Sequence, residues 1–337
     1  MSLLGLSFAP LFIPIERRLQ TLAAFLWMGS FLFGALLGSS VILYLFCYTS
    51  YWWISIAYVS WFIWDRNTCN TGGRIVPFMR KLFLWRHFRN FFPVELVKTT
   101  DLDPNKTYLF TSQPHGVLCA GAFATFGTDA LSFSKVFNGL KSRLLVLEGQ
   151  FWFPIYREFL ISLGACSASK SSMIHLFENE KSSAIVLVTG GVLEAMENNK
   201  NDIRLVLNRR KGFIKLALKY GVPLVPTFSF GEHCLYDIIN NPVGSFLRRI
   251  QEFSEKKISF SPILFNGRGI FQYNFGIVPR RNKISVVVGK PLDIPKVDNP
   301  SRELIEATHL RFIQSIQDLY NEYNPLYGDP KMNLIVS

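Results

Sequence analysis

The chain has 337 residues, of which 49% are hydrophobic, 15% aromatic and only 18% charged, whereas charged residues average about 25% of soluble proteins. This composition excludes an intrinsically disordered chain, a collagen and a coiled coil, and it is unusual for a cytosolic globular protein. Lysine and arginine exceed aspartate and glutamate by 12. That excess favours an anionic partner such as lipid headgroups, nucleic acid or a phosphorylated substrate.

The chain lacks the common sequence motifs of metal sites, nucleotide-binding loops and hydrolase active sites. The five cysteines are dispersed and lack the spacing of a zinc site or of a disulfide framework. No GxSxG, Walker, GxGxxG or HExxH motif is present, which argues against serine hydrolases, P-loop enzymes, dinucleotide enzymes and zincin proteases. We therefore predict free thiols in a reducing compartment, no bound metal and no cofactor.

The first predicted element is a transmembrane hairpin that follows an N-terminal segment, residues 1–18. From Leu19 to Trp64 the chain has 46 residues without Asp, Glu, Lys, Arg or His. One crossing takes about 20 apolar residues. The run therefore predicts a helix over about Leu22–Phe46, a turn near Tyr48–Tyr51 and a second helix over about Trp52–Trp64. The second arm is short, which leaves a re-entrant or shallow hairpin open.

Basic residues flank this hairpin on both sides. Arg17-Arg18 precedes it, and residues 66–100 carry seven Arg or Lys residues against the single acid Glu95. The positive-inside rule then predicts that both termini are cytosolic. Within residues 65–99, aromatic and basic residues alternate over Arg74–Phe92, which predicts a basic amphipathic segment at the membrane interface. Nucleic-acid binding is the alternative, and the adjacent hairpin disfavours it.

Residues 100–337 are predicted to form a cytosolic α/β domain. Short runs rich in branched residues predict strands over Thr107–Ser112, Arg143–Leu147, Ala184–Thr189, Ile203–Leu207, Val222–Phe230 and Ile284–Val288. Apolar residues at helical spacing predict helices that include Ser171–Glu180, Lys211–Tyr220 and Ser301–Tyr323. Because strands alternate with helices, the pattern favours an α/β architecture.

One histidine has a context that is typical of a ligand-binding site. His115 comes just after a predicted strand, in Gln113-Pro114-His115-Gly116, and ligands of α/β sheets bind at the carboxyl ends of strands. Pro114 restricts the backbone on one side, and Gly116 permits close approach of a ligand on the other. An imidazole there is suited to general base catalysis at neutral pH. A structural histidine that caps the next helix is the alternative.

A carboxylate follows another predicted strand. Gly190 and Gly191 end that strand, and Glu194 comes next in Gly191-Val192-Leu193-Glu194. Glu194 is a candidate to orient His115 or to hold a substrate hydroxyl. An exposed acid at the start of a helix is the alternative.

A basic run precedes the predicted helix at Lys211–Tyr220. Arg209, Arg210 and Lys211 lie at its start, where main-chain amides already favour anions. This arrangement suits a multiply phosphorylated ligand such as coenzyme A. A solvated charged face is the alternative, and we prefer it for Lys215 and Lys219.

Taken in order along the chain, these motifs resemble the diacylglycerol acyltransferase type 2/monoacylglycerol acyltransferase family over nearly the whole length. The resemblance is carried by Phe8-Ala9-Pro10-Leu11, Glu16-Arg17-Arg18-Leu19-Gln20-Thr21-Leu22, Phe91-Phe92-Pro93, Gln113-Pro114-His115-Gly116, Gly190-Gly191 with Glu194-Ala195, Arg210-Lys211-Gly212-Phe213, Leu224-Val225-Pro226, Phe230-Gly231-Glu232, Gly267-Arg268-Gly269 and Val288-Gly289-Lys290-Pro291. Their order and spacing are specific, and the N-terminal and Gly-Lys-Pro segments resemble the monoacylglycerol branch most.

The chain departs from the family pattern at three positions. Gln113 stands where the family usually has the first His of His-Pro-His-Gly, Asn266 where it often has His, and Phe91 where Tyr is usual. Because His115 retains the second His of that motif, we assign the base to His115. The sequence does not decide how Gln113 and Asn266 affect activity.

The resemblance implies an acyltransferase-like mixed sheet flanked by helices. It implies transfer of an acyl group from acyl-CoA, as co-substrate, to a mono- or diacylglycerol in triacylglycerol synthesis, at the endoplasmic reticulum membrane and at lipid droplets. Since no Ser or Cys is flanked by a convincing base, direct transfer is favoured. His115 and Glu194 are the catalytic candidates. The substrate-binding candidates are Gln113, Pro114, Gly116, Gly190, Gly191, Arg209, Arg210, Lys211, Glu232 and Arg268.

The expected partners are acyl-CoA, an acylglycerol and the membrane, without nucleic acid, and a homo-oligomer is left open. A wax-ester synthase acting on fatty alcohols is one alternative function. A non-catalytic endoplasmic reticulum or lipid-droplet protein that retains the fold is another. A lysophospholipid acyltransferase is disfavoured, because such proteins typically place Asp five residues after the catalytic His and this chain has Ala120 there.

Overall fold

The computed structural model describes residues 2–3, 6–10, 12–197, 202–238, 244–258 and 263–337. The first elements are β1 (Ser2–Leu3), β2 (Leu6–Ser7), α1 (Ile15–Tyr48), α2 (Trp52–Trp64), α3 (Pro77–Arg80), α4 (Phe83–Phe91), β3 (Glu95–Lys98) and β4 (Tyr108–Gln113). Next come α5 (Ala120–Ala122), continued by a π-helical turn over Phe123–Gly127, and α6 (Phe133–Val136), β5 (Lys141–Val146), α7 (Tyr156–Ser162), β6 (Cys166–Ser167), α8 (Lys170–Asn179), β7 (Ser183–Val188) and α9 (Gly191–Glu197). The last are β8 (Asp202–Leu205), α10 (Gly212–Tyr220), β9 (Leu224–Phe230), β10 (Asp237–Ile238), α11 (Phe246–Ile258), β11 (Phe265–Asn266), β12 (Ser285–Val288), α12 (Arg302–Tyr327) and β13 (Asn333–Val336).

A seven-stranded mixed sheet in the order β3-β12-β9-β4-β7-β5-β6 forms the centre of the domain. Within it, β4 pairs in parallel with both β7 and β9, whereas β12 is antiparallel to β9. The predicted α/β fold with a mixed sheet flanked by helices is confirmed. All six predicted strands are present, but the one at Ile203–Leu207 is β8, which pairs with β13 in a separate two-stranded sheet.

The parallel pairing of β7, β4 and β9 brings their carboxyl ends to one edge of the sheet. Gly190, His115 and Gly231 come shortly after these three strands, respectively. Chain segments that are far apart in sequence therefore meet at this edge, which is where α/β sheets bind their ligands.

Helices α1 and α2 form the predicted hairpin, joined by a turn over residues 49–51. The Ser55 hydroxyl on α2 donates a hydrogen bond to the Ile42 carbonyl on α1, at 3.0 Å. The first half of α1 is part of the protein core, because Ala23, Ala24 and Met28 are fully buried. The second half is largely exposed and apolar.

Only α1, among the described residues, is long and apolar enough to cross a membrane by length and composition. Helix α2 has 13 residues, and at 1.5 Å per residue it is roughly 20 Å long, shorter than the hydrocarbon core of about 30 Å. The expectation of a chain that crosses the membrane more than once is therefore not supported by the structure.

The segment predicted to lie on the membrane surface, residues 65–99, is not one continuous helix. It contains two short helices, α3 and α4, and the aromatic residues Trp85, Phe88 and Phe91 are buried in the core. Arg80 is buried as well, with its guanidinium 2.9 Å from Asp129 and hydrogen-bonded to main-chain carbonyls. Phe78 and Phe83 stay exposed, at 72% and 69%, so an interfacial role stays a prediction for the exposed residues of this segment.

Candidate active site

His115 lies in the loop between β4 and α5, on the wall of a large cavity. Its Nδ1 is 3.1 Å from the main-chain carbonyl of Gly116. A carbonyl can only accept a hydrogen bond, so Nδ1 carries the proton and Nε2 keeps its lone pair. Burial lowers the pKa of His115 below its usual value. The imidazole is thus neutral at physiological pH, which is the form that can accept a proton.

Glu194 is buried, and it holds the main chain of His115 rather than its ring. One carboxylate oxygen accepts from the His115 N–H at 2.5 Å, and the other accepts from the Val206 N–H at 3.1 Å. Burial raises the pKa of Glu194 to about 7, although both amides and the charge of Arg210 oppose this. A Cβ at Gly190 would lie 1.9 Å from this carboxylate, so glycine there leaves room for the contact.

Glu232 holds the other end of the same loop. Its two carboxylate oxygens accept from the main-chain amides of Ala120 and Gly121, at 2.7 and 2.8 Å. Burial raises its pKa to about 7, which the two amides oppose. Gly116 packs against this side chain with φ of +55°, where a Cβ would be 2.7 Å from Glu232 Cγ. Two buried carboxylates therefore clamp the loop that presents His115.

Gln113 is fully buried beneath the loop and does not line the cavity. Its amide nitrogen donates to the carbonyls of Thr111 and Thr227, at 2.8 and 3.0 Å, and its amide oxygen accepts from the Thr189 hydroxyl at 2.7 Å. All three partners belong to the sheet or its edge. The side chain thus ties β4 to β9 and to the end of β7, and its role in this structure is to support the loop.

The cavity has a volume of 1310 Å³, and its walls include α1 and helices of the α/β domain. Apolar side chains of α1, α7 and the π-helical turn line one part of it, among them Trp27, Phe31, Phe123, Tyr156 and Phe159. Cationic side chains line another part, namely Lys170, Arg209, Arg210, Lys211, Lys215 and Lys219. The imidazole thus shares one cavity with an apolar surface and with a strongly basic one.

The predicted site residues divide into two groups. His115, Gly191, Arg209, Arg210 and Lys211 line the cavity. Gln113, Pro114, Gly116, Gly190, Glu194 and Glu232 surround the His115 loop without lining the cavity, and Arg268 lies elsewhere.

Two features of the cavity were not predicted from the sequence. Residues of α1 form part of its wall, and Lys170 lies on that wall as well. The solvated face predicted for Lys215 and Lys219 agrees with their exposure, and both side chains also lie on the cavity wall together with Lys211. The helical spacing of these three lysines was the available signal. Lys211 is not free of partners, since its Nζ is 2.5 Å from a carboxylate oxygen of Glu306.

Comparison with known proteins identifies the family to which the chain belongs. A family model described as diacylglycerol acyltransferase matches residues 43–337. The chain belongs to the diacylglycerol acyltransferase family. It is 42% identical to 2-acylglycerol O-acyltransferase 1 of Bos taurus, over 98% of both chains, and 38% identical to diacylglycerol O-acyltransferase 2 of Danio rerio, over 93% of this chain and 87% of that protein.

Further comparisons extend to a fungal relative and to a solved structure. Diacylglycerol O-acyltransferase 2B of Umbelopsis ramanniana is 40% identical over 95% of this chain and 91% of that protein. The crystal structure of the 1-acyl-sn-glycerophosphate acyltransferase PlsC from Thermotoga maritima is similar at a TM-score of 0.41 and 11% identity, over 90% of this chain and 96% of that one. The family model and the curated relatives, which are named as acyltransferases, show that this chain is an acyltransferase, and its apolar N-terminal helix fits a membrane protein.

Proposed function

We propose that the protein transfers an acyl group from acyl-CoA to the hydroxyl of a mono- or diacylglycerol, with His115 as general base. One observation carries the proposal: a neutral imidazole lies on the wall of a cavity that is apolar in one part and basic in another. An acyl-CoA has the same two characters, a long apolar chain and several phosphates. The sequence relatives, named as acylglycerol acyltransferases, support the acceptor class.

The reaction is proposed to proceed by direct transfer. Nε2 of His115 takes the proton of the acceptor hydroxyl as the oxygen attacks the thioester carbonyl. The tetrahedral intermediate collapses, the C–S bond breaks, and coenzyme A leaves as a thiolate that recovers the proton from the imidazolium. Glu194 and Glu232 accept from the amides of His115, Ala120 and Gly121. The amides of Gly116 and Val117 are then proposed to donate to the oxyanion, which is typically worth about 3 kcal/mol per donor.

The basic wall is proposed to bind the phosphates of coenzyme A. Arg209, Arg210 and Lys211 come before the first turn of α10, and Lys215 and Lys219 continue along the same face of that helix. Cations at this spacing can follow a chain of phosphates, and the amides at the start of α10 add donors. The exposed Lys170 on α8 completes this wall.

The apolar hairpin is proposed to hold the cavity at the membrane that contains the acylglycerol. We propose a shallow hairpin with both ends in the cytosol, at the endoplasmic reticulum and at lipid droplets. Two observations support this: α2 is short, and α1 and α2 both return to the same α/β domain. Tyr58 of α2 accepts a hydrogen bond from the Ile155 N–H of that domain at 2.7 Å.

The test is an acyl-transfer assay on membranes that contain the full-length protein. Labelled palmitoyl-CoA is supplied with monoacylglycerol, diacylglycerol or a fatty alcohol, and the labelled esters are separated. We expect esterification of an acylglycerol, and we expect His115→Ala to reduce its rate roughly 10²-fold or more, the usual contribution of a general base.

The matched control is His175→Ala, which removes a histidine of α8 that does not line the cavity. It should leave the rate unchanged at equal expression. His115→Ala activity above about a tenth of wild type would refute the base. Ester formation with fatty alcohol alone would identify a wax-ester synthase, and no product with any acceptor would favour a non-catalytic protein.

A further inference from the structure

Three segments of the family resemblance lie outside the catalytic cavity, and the fold brings them together at the start of α1. Arg17 and Gln20 come from the first turns of α1, Phe91 from the end of α4, and Arg268 from the Gly267-Arg268-Gly269 segment. Arg281 joins them from the chain that leads into β12. None of these five residues lines the cavity, so the proposed reaction leaves this cluster unexplained.

The cluster is held by aromatic rings and by one amide. The guanidinium of Arg281 lies 4.4 Å above the Phe91 ring, and one of its nitrogens donates to the amide oxygen of Gln20. Arg268 lies 5.9 Å from the same Phe91 ring and 4.6 Å from the ring of Tyr273. These contacts fix the two guanidinium groups next to each other on one platform.

The positive charges in this cluster are not neutralised by acids. Among the described residues, no carboxylate forms an ion pair with Arg17, Arg268 or Arg281, and the acid of the first α1 turn, Glu16, instead contacts Gln20 and His87 at 3.4 and 3.8 Å. Burial, together with the charges of Arg17 and Arg268, lowers the pKa of Arg281 to about 10. Like charges this close repel one another unless an anion lies between them.

The start of α1 adds to the same positive potential. This helix has 34 residues, and its first turn has no side-chain cap, because Pro14 precedes it. The uncapped amides and the helix dipole together give a partial positive charge at this end. The site therefore combines three guanidinium groups with a helix terminus that favours anions.

Exposed apolar side chains surround this positive site. Phe12 is 96% exposed, Ile15 75% and Phe271 72%. Phe271 lies beside the N-terminal segment, because its carbonyl accepts from the Ala9 N–H at 2.8 Å. A soluble anion would gain nothing from such a rim, whereas a lipid would place its headgroup on the arginines and its chains on the aromatic residues. The uncharged part of α1 begins at Leu19, and Leu22 and Leu26 on it are 46% and 45% exposed, so exposed apolar surface continues from the site along one side of this helix.

We propose that Arg17, Arg268 and Arg281 bind the phosphate of an anionic phospholipid at the base of α1, outside the catalytic cavity. Guanidinium groups recognise phosphate through paired, charge-assisted hydrogen bonds, and Arg is preferred to Lys for this purpose. The bound headgroup would relieve the repulsion within the cluster. It would also tie α1, α4 and the chain before β12 to the cytosolic leaflet, where anionic lipids are enriched.

The test measures the melting temperature of the full-length protein in neutral detergent. Dioctanoyl phosphatidate, dioctanoyl phosphatidylcholine and inorganic phosphate are titrated separately. We expect a saturable rise in melting temperature with phosphatidate, since a ligand that binds only the folded state stabilises it. We expect no saturable rise with phosphatidylcholine. Inorganic phosphate should act only at much higher concentration; if it were as effective as phosphatidate, the lipid would be excluded as the ligand.

Variants locate the site. Arg268→Gln with Arg281→Gln should weaken phosphatidate binding roughly ten-fold or more, as expected when hydrogen bonds to a charged group are lost. Arg302→Gln with Arg311→Gln removes the same charge from exposed positions of α12 and should bind like wild type. If the first pair fails to fold, Arg17→Gln alone, at an exposed position, should still weaken binding.

Two outcomes would overturn the proposal. One is equal phosphatidate binding by wild type and by every folded variant of the cluster. The other is competition by palmitoyl-CoA, which would place phosphatidate in the cavity; the proposal predicts that the two stabilise the protein additively. Because the readout is melting temperature, failure of the acyl-transfer assay would leave this result unaffected.

Discussion

His115 is positioned through its main chain, by two buried carboxylates that come from other parts of the chain. Glu194 accepts from its N–H, and Glu232 accepts from amides five and six residues later. The sequence made Glu194 a candidate to orient His115 or to hold a substrate hydroxyl, with an exposed acid at the start of a helix as the alternative. It could not predict that the carboxylate binds the main chain, since that depends on the path of the loop.

The ring of His115 leads to a prediction about pH. Burial lowers its pKa below 6.5, so the base is neutral and active at pH 7 and becomes protonated only at lower pH. We expect kcat/KM to be level from pH 7 to 8 and to fall on the acidic side with a midpoint below 6.5. A midpoint near 7 would contradict this, because it would report Glu194 or Glu232, whose pKa values are about 7.

Gln113 differs from the residue that the motif leads us to expect, and its hydrogen bonds still support the His115 loop. The family resemblance leads us to expect His there, and the sequence alone could not decide whether Gln113 abolishes activity. Its three hydrogen bonds lie within the sheet and at the sheet edge, away from the cavity. Gln113→Leu removes all three bonds, each worth roughly 0.5–1.5 kcal/mol net, and should lower the melting temperature.

The control for this prediction is Gln314→Leu, at an exposed position of α12. Surface changes of this kind usually alter the free energy of unfolding by less than about 0.5 kcal/mol. A large loss of activity in Gln113→Leu at an unchanged melting temperature would instead assign Gln113 to the reaction.

At the scale of elements, α1 packs against the α/β domain through a glycine face. A Cβ at Gly38 would lie 2.3 Å from the Pro154 carbonyl, and a Cβ at Gly34 would lie 2.6 Å from the Tyr156 ring. Gly29 has nothing within 4 Å of the equivalent position. Tyr156 and α1 both line the cavity, so we expect a change at this contact to alter the shape of its apolar part.

Gly38→Ala should therefore lower both the melting temperature and the rate of transfer, because α1 must move away from the loop. Gly29→Ala is the matched control and should be neutral or stabilising by up to roughly 1 kcal/mol, since alanine favours a helix. Specific activity and melting temperature of the two variants test this. Equal specific activities and equal melting temperatures in the two variants would show that the close packing of α1 at Gly38 limits neither stability nor activity.

At the scale of the whole molecule, the first half of α1 and the α/β domain share one core. Trp27 of α1 packs on Phe88 of α4, with ring centroids 4.9 Å apart, and the same tryptophan lines the cavity. The sequence predicted the bounds of α2, Trp52–Trp64, but it began the first helix at about Leu22, whereas α1 begins at Ile15. It could not separate side chains that face lipid from those that face the core, since both are apolar.

The same ambiguity explains the segment at residues 65–99, whose aromatic residues were assigned to lipid and are mostly buried. The strands and the long helices were predictable from local pattern, whereas the strand order and the cavity depend on contacts between distant segments. The cluster of Arg17, Arg268 and Arg281 also depends on contacts between distant segments, since only the fold brings the three side chains together.

The short second arm of the hairpin has a consequence for where this protein can reside. A chain that passes through both leaflets needs water on both sides of its membrane. An arm of 13 residues, roughly 20 Å in length, is shorter than the hydrocarbon core of about 30 Å, and in the proposed shallow hairpin it stays on one side of the bilayer. We expect a hairpin of this depth to insert equally well into a bilayer and into a phospholipid monolayer that covers oil. The protein would then move with its product from the bilayer to the monolayer by lateral diffusion alone.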